Sequence, residues 1–267
     1  MASRKDMKAQ AREERLRKEA ELTAKAQLRK RMRLLSSIVT CAVVVVAAAV
    51  IISLGASHNT PHLKADGSNV ADVSAVSKML SGIPQTGTTL GVSSAKVTIN
   101  EYGDLQCPVC RDFTYDSLPA VLSDLVRPGE AKFIFHDWPI IRDSETDTST
   151  SLSQEAGRAA LATAKQGRYY QFIETFYHNQ GAESTGYINQ GFIDSIAKAV
   201  GLNVAELNTD MTNPAYSDAI SKNSHYAISS GLEGTPSFVI TGPKGSEVIT
   251  GTLADEPQIA KDVAQVQ

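Results

Sequence analysis

Two cysteines separated by two residues are the side chains of this chain best suited to chemistry. Cys107, Pro108, Val109 and Cys110 follow an alternating segment that predicts a strand, and they open a segment that predicts a helix. A helix N-terminus presents free backbone N–H groups and a partial positive charge, both of which favour a thiolate. Because a thiolate is the species that attacks a disulfide, this placement predicts a redox-active pair.

A structural disulfide and a metal site are the two other roles considered for the pair. A bridge between Cys107 and Cys110 closes a loop of about four residues, for which the chain-entropy model gives only about 2 kcal/mol. A metal site needs two further ligands, and His136, His178 and His225 show no ligand spacing. The redox role is therefore favoured.

The predicted helix gives the two sulfurs different roles. Cys107 is expected at the helix start, where it is more exposed and more acidic, and it is predicted to attack the substrate. Cys110 is expected one turn further in, where burial raises its pKa, and it is predicted to resolve the mixed disulfide. The third cysteine, Cys41, lies in an apolar run and is interpreted as a small hydrophobic residue.

The elements around the pair are predicted in the order strand, helix, strand, helical block, strand, strand, helix. The predicted strands are 97–102, 132–135, 237–240 and 247–249; the predicted helices are 73–80, 107–126 with a kink at Pro119, several within 151–230, and 256–266. Strands and helices in this order predict an α/β fold.

Two separated segments resemble the DsbA-like branch of the thioredoxin superfamily. The run from Val97 to Cys110 resembles its strand and cysteine motif, and the segment from Gly234 to Phe238 is similar to its cis-proline loop. The helical block at 151–230 resembles the helical domain inserted in such proteins. The resemblance covers about residues 85–267 and implies a thioredoxin-like fold with an inserted helical subdomain.

The resemblance also implies a substrate-binding surface around the cysteines. Thr235 and Pro236 are expected to lie against Cys107 through a cis peptide bond and to pair with the backbone of a bound substrate strand. Pro108 and Val109 are expected at the same surface. Val109 replaces the histidine found in the strongest oxidases of the family, and this predicts a reduction potential between that of thioredoxin and that of those oxidases.

Two acidic residues precede the cysteine pair. Glu101 corresponds in the resemblance to a buried acid that moves protons at Cys110, and it is predicted to be catalytic. The alternative for Glu101 is an exposed position on an alternating strand. Asp104 is expected to cap the loop rather than to act in catalysis.

Charge divides the chain into a basic N-terminus and an acidic remainder. Residues 1–33 hold 12 Lys or Arg and 5 Asp or Glu, whereas residues 34–267 hold 14 and 24. An acidic body argues against nucleic acid as a partner.

Residues 34–54 carry no charge, and at 1.5 Å per residue they span about 30 Å, which predicts a transmembrane signal-anchor in contact with lipid. A cleaved signal peptide and a buried soluble helix are the alternatives.

Basic residues on one side of this span predict an orientation. Arg29, Lys30, Arg31 and Arg33 precede it, which places residues 1–33 in the cytoplasm as a tail. Residues 55–84 are then a tether, and the domain at 85–267 lies outside the cytoplasm. The predicted localisation is a single-pass cell-membrane protein.

The predicted function is that of an extracytoplasmic thiol:disulfide oxidoreductase that introduces disulfides into secreted or surface proteins. No metal or organic cofactor is expected, since no glycine-rich nucleotide fingerprint is present. The resemblance implies a separate quinone-linked membrane partner that re-oxidises the protein. A disulfide reductase or isomerase is one alternative, and a non-catalytic module that binds extended peptides as a chaperone is another.

Overall fold

A single mixed sheet organises the computed structural model, which describes residues 63–64 and 66–267. Within that part of the chain, six strands pair in the order β1-β2-β4-β3-β5-β6. The strands are β1 (Gln85–Thr86), β2 (Thr89–Leu90), β3 (Val97–Gly103), β4 (Ala131–Asp137), β5 (Ser237–Gly242) and β6 (Gly245–Ile249). β3 and β4 are parallel, and the other pairs are antiparallel.

Nine α-helices accompany this sheet among the described residues. They are α1 (Val73–Leu80), α2 (Pro108–Asp116), α3 (Leu118–Val121), α4 (Ser151–Thr163), α5 (Tyr169–His178), α6 (Gln190–Ala199), α7 (Val204–Asp210), α8 (Pro214–Ser229) and α9 (Glu256–Val266). From β3 onward the predicted α/β order is confirmed, because a block of helices lies between β4 and β5, whereas the short strands β1 and β2 were not predicted.

The central strand β3 fixes the position of α2. Ile99 of β3 is fully buried and is aligned with Phe133 of β4. Above this face, the ring of Phe113 on α2 lies 4.7 Å from that of Phe238 and 6.4 Å from that of Phe133. These aromatic contacts hold α2 against the sheet, and the short loop after β3 therefore delivers the chain directly to the N-terminus of α2.

The predicted single helix over 107–126 is in fact broken. α2 ends at Asp116, α3 begins at Leu118, and a π-helical turn covers Leu122–Val126. Pro119 lies at the second position of α3, where its missing N–H is not needed. Its ring would clash with a carbonyl of an uninterrupted helix, so the chain ends one helix and starts another instead of kinking.

Two tyrosines attach α5 to the exposed edge of β4. β2 pairs with β4 only at Phe133 and Ile134, so the next backbone groups of β4 have no strand partner on that side. The Tyr169 hydroxyl donates to the Phe135 carbonyl at 3.1 Å, and the Phe135 N–H donates to the Tyr170 hydroxyl at 3.1 Å. These hydrogen bonds satisfy the strand edge and fix α5 against the sheet.

The predicted localisation in the membrane is corrected. Across residues 63–64 and 66–267, no helix has both the length and the apolar character that a bilayer crossing requires. The predicted span at 34–54 lies outside the described residues, as does the tail at 1–33. The single-pass assignment is therefore unsupported and is withdrawn.

Candidate active site

Cys107 lies at the junction between the β3 loop and α2. It is the N-cap residue of α2, with extended backbone angles, and Pro108 is the first helical residue. The Cys107 N–H donates to the Asp104 carbonyl at 2.9 Å, and the Arg111 N–H donates to the Cys107 carbonyl at 3.2 Å. The sulfur therefore stands at the positive end of the helix, as the sequence predicts.

The two thiols differ in burial and acidity. Cys107 is 4% exposed and Cys110 is fully buried. A hydrogen bond with Cys110, together with bonds from the amides of Val109 and Cys110, lowers the pKa of Cys107 to about 7 against the opposing effect of burial. Burial raises the pKa of Cys110 well above its usual value, and the neighbouring Cys107 and Glu101 raise it further. At neutral pH, about half of Cys107 is therefore thiolate, while Cys110 holds its proton.

The loop before β5 faces Cys107. The bond between Thr235 and Pro236 is cis, as the resemblance implied. The Cys107 thiol donates to the Thr235 carbonyl at 3.3 Å, so the cis-proline loop and the cysteine are in direct contact. Between the two cysteines, Val109 is 37% exposed at the surface of the protein. The residues predicted at the substrate surface are thus gathered around Cys107.

Asp104 caps the loop between β3 and α2, residues 104–107, as predicted. Its Oδ1 accepts from the Gln106 N–H and the Ser153 hydroxyl, each at 2.8 Å. Its Oδ2 accepts from the N–H groups of Ile140 and Ile141, each at 2.7 Å. A single carboxylate therefore ties the loop after β3 to α4 and to the segment after β4.

Glu101 lies inside the molecule, so the exposed alternative is wrong. It is 3% exposed and is aligned with Phe135 of β4 and Phe238 of β5. Burial raises the pKa of its carboxyl well above the usual value, and Glu174 and Cys107 add to the effect. Glu101 in turn raises the pKa of Cys110. A protonated acid therefore lies within electrostatic reach of the buried sulfur.

Three side chains from α5 and its C-terminal turn were missed by the sequence analysis. Gln180 donates through Nε2 to the carbonyls of Leu105 at 2.8 Å and Cys107 at 3.1 Å. The Tyr177 hydroxyl donates to the Asp104 carbonyl at 3.2 Å. Glu174 is the third residue, buried beside Glu101. The stripe of aromatic residues predicted the buried face of α5, but no motif marked these polar side chains.

The fold and the site together define a class of protein. A cysteine pair separated by two residues caps the helix that follows a central strand, and a cis-proline loop touches its first sulfur. This arrangement is that of a thioredoxin-like dithiol protein carrying a helical insertion.

Comparison with known proteins places the chain within this class. The thioredoxin family model Thioredoxin_4 matches residues 84–252, and the chain belongs to this family. The probable disulfide bond formation protein D of Bacillus cereus is 27% identical over 160 residues, covering 59% of this chain and 71% of that protein.

Solved structures agree with this assignment. A thioredoxin-like oxidoreductase from Silicibacter pomeroyi DSS-3 is 26% identical with a TM-score of 0.54, covering 71% of this chain and 95% of that one. Oxidised BdbD from Bacillus subtilis shares the fold at 21% identity with a TM-score of 0.56, covering 68% and 96%. The chain is a DsbA-like thiol:disulfide oxidoreductase of the thioredoxin superfamily.

Proposed function

We propose that this protein introduces disulfides into reduced protein substrates outside the cytoplasm, where such bonds persist. The observation that carries the proposal is the difference between the two sulfurs. Cys107 stands at the helix N-terminus with a lowered pKa, whereas Cys110 is enclosed and keeps its proton. The relative from Bacillus cereus, named for disulfide bond formation, supports the oxidising direction.

The reaction proceeds through two thiol–disulfide exchanges. A substrate thiolate attacks the Cys107 sulfur of the Cys107–Cys110 disulfide; a mixed disulfide forms, the internal bond breaks, and its electron pair goes to Cys110. Cys110 then takes a proton from Glu101. A second substrate thiolate attacks the substrate sulfur of the mixed disulfide and releases Cys107 as a thiolate. The substrate loses two electrons and the protein gains them.

The surface around Cys107 would hold the substrate during these steps. An extended substrate backbone lies along Thr235 and Pro236, and apolar substrate side chains contact Pro108 and Val109. The reduced protein must then pass its two electrons on, and we propose that a quinone-linked membrane protein accepts them, as the family resemblance implies.

One observation favours the opposite direction, disulfide reduction or isomerisation. The pKa of Cys107 is about 7, which matches the value of about 7 for thioredoxin rather than about 3.5 for DsbA. A less stabilised thiolate makes the disulfide form a weaker oxidant. Reduction is therefore the second candidate function.

Single-cysteine variants test the proposal. With Cys41→Ser in every background, the disulfide form of the parent is mixed with a reduced peptide that contains two cysteines, and each single-cysteine variant, as a free thiol, is mixed with the same peptide in its disulfide form. Products are trapped with acid and weighed by mass spectrometry. We expect the parent to yield oxidised peptide. Cys110→Ser should form a mixed disulfide, because the Cys107 thiolate attacks the peptide disulfide and releases one peptide thiol, and Cys107→Ser should form none.

Two results would contradict the proposal. A mixed disulfide in Cys107→Ser but not in Cys110→Ser would reverse the two roles. Reduction of insulin by the dithiol form, without any oxidation of the peptide by the disulfide form, would establish the reductase instead.

A further inference from the structure

A second buried acid lies beside Glu101, on the helical insertion. Glu174 is 3% exposed and belongs to α5. It lies four residues after Tyr170 and three residues before Tyr177, so the three side chains share one face of the helix. The Tyr170 hydroxyl donates to the Phe133 carbonyl of β4 at 3.0 Å, and the Tyr177 hydroxyl is bound to the loop before Cys107. Glu174 therefore lies between one side chain anchored on β4 and one anchored on the loop after β3, and it reaches Thr114 of α2.

The two carboxyls have different surroundings. The Thr114 hydroxyl of α2 donates to Glu174, and this hydrogen bond stabilises its charged form. Oε1 of Glu101 has no hydrogen-bond partner, and one oxygen of Glu174, Oε2, also has none. A methyl group at Gly103 would overlap the ring of Phe135 at 2.5 Å and would lie 3.3 Å from Glu101 Oε1, so the glycine leaves space mainly for that ring, beside the carboxyl. An ionised carboxylate without donors is costly in such a site, so Glu101 is the member that keeps its proton.

No basic side chain compensates for this acidity. Among residues 63–64 and 66–267, no Lys, Arg or His is buried. The ionisable groups that interact with Glu101 and Glu174 belong to α2 and α5: they are Cys107, Cys110, Tyr169, Tyr170 and Tyr177. Two other buried acids, Asp104 and Asp137, lie at the ends of β3 and β4. Like charges raise one another's proton affinity, so the pair loses its two protons in separate steps.

We infer that Glu174 is a positioning residue that holds the proton on Glu101: when the pair loses one proton, the charge settles on Glu174, and Glu101 keeps the proton that Cys110 needs. The inference rests on the proposed roles of Cys107 and Cys110. In the exchange, the bond between the two cysteines breaks, the electron pair goes to Cys110, and the proton moves from Glu101 to that sulfur. Solvent later returns a proton to Glu101.

The pH profile of disulfide reduction tests this inference. The Cys107–Cys110 disulfide is reduced with dithiothreitol in a quenched-flow experiment, and each rate is divided by the thiolate fraction of the reagent. In the parent protein we expect a plateau that falls at alkaline pH, as Glu101 loses its proton. In Glu174→Gln, which keeps the size and a hydrogen-bond donor, the midpoint of the fall should move to lower pH by about one unit, the coupling expected of neighbouring acids.

Three further substitutions, one of them also combined with Glu174→Gln, separate this role from a structural one. Glu101→Gln should lower the plateau and abolish the alkaline fall, and adding Glu174→Gln to it should change nothing more. Thr114→Val, which removes the donor to Glu174, should shift the midpoint in the same direction by a smaller amount, and it serves where Glu174→Gln does not fold. Asp137→Asn is the control, since it removes a buried acid that has no assigned role in the exchange and should leave the midpoint in place.

The outcomes distinguish the inference from the proposed function. Unchanged midpoints in Glu174→Gln and Thr114→Val would overturn the inference, as would a shift by Glu174→Gln that persists in the Glu101→Gln background. A cysteine pair that does not react with dithiothreitol would overturn the proposed function itself, whatever Glu174 does.

Discussion

At the scale of single residues, the acidity of Cys107 depends on a small set of donors. Hydrogen bonds from the Cys110 thiol and from the amides of Val109 and Cys110 lower its pKa to about 7. Val109, the neighbour between the cysteines, is partly exposed and contributes no side-chain donor. The second variable position of the motif is therefore the place where the chain can be made a stronger or weaker oxidant.

Substitution of Val109 tests this account. We expect Val109→His to bring an imidazole donor toward Cys107, to lower its pKa below about 7 and to raise the reduction potential, because the reduced thiolate is stabilised. Thiolate absorbance measured against pH gives the pKa, and equilibration with glutathione gives the potential. Val109→Leu, which adds no donor, is the control. A lowered pKa without a higher potential would show that thiolate stability does not set the potential here.

Sequence reasoning located some residues of the site and not others. The cysteine pair and the Thr235–Pro236 loop were found because a motif with fixed spacing marks each of them. Glu174 and Gln180 were not, since a Glu or Gln on an amphipathic helix ordinarily faces solvent. Their burial depends on how α5 packs against β4 and the cysteine loop, which is a tertiary contact that no local pattern encodes.

At the scale of elements, α4 packs so closely against the end of β4 that no side-chain atom fits between them at Gly157. Gly157 lies inside α4, and a Cβ atom there would stand 2.1 Å from Oδ2 of Asp137. The Asp137 carboxyl is fully enclosed and its oxygens have no hydrogen-bond partner. Contact between helix and strand therefore requires a glycine at this position.

Whether Gly157→Ala raises or lowers the free energy of unfolding tests this packing. In an ordinary helix interior, alanine would stabilise by roughly 0.5–1 kcal/mol. Here we expect a loss of about 1–3 kcal/mol, because the added methyl overlaps an enclosed carboxyl. Urea unfolding followed by circular dichroism measures the change. In the double variant, Asp137→Ala should remove the overlap and restore stability. A Gly157→Ala protein that is more stable than the parent would contradict this account, because it would show that α4 can shift away from β4 without cost.

Local patterns predicted most elements but not their interruptions. The helix Val73–Leu80 was predicted with the bounds that the structure gives. The break at Ser117 was not, because Pro119 permits either a kink or a new helix start. The outcome depends on Leu118 and Val121, whose burial orients α3.

At the scale of the whole molecule, enclosed acids make stability depend on pH. Burial raises the pKa of Glu174 to about 8 and raises those of Glu101 and Asp137 well above their usual values. A raised pKa means that the folded state binds a proton more tightly than the unfolded chain does. The stabilisation is complete below the unfolded pKa of about 4 and is lost as pH rises through the folded values.

The free energy of unfolding of the reduced protein should therefore fall between pH 5 and pH 8. Glu174 alone contributes a change on the order of 4 kcal/mol over this range. The lowered pKa of Cys107 acts in the opposite sense, but only near pH 7 and above. Urea midpoints at several pH values measure the slope, and Glu174→Gln should flatten it. A midpoint that rises steadily from pH 5 to pH 8 would exclude protonated acids in the interior.

Hydrogen bonds from the helical insertion to residues 104–107, the loop between β3 and α2, limit how this protein could be redesigned. Tyr177 and Gln180 hold the carbonyls of Asp104, Leu105 and Cys107. The insertion is thus not an interchangeable module that could be swapped while the cysteine motif stays unchanged. A chimaera that kept this motif but carried a foreign insertion would lose three backbone anchors, even if its sheet folded correctly. Grafting the chemistry onto another scaffold requires these two side chains as well as the cysteines.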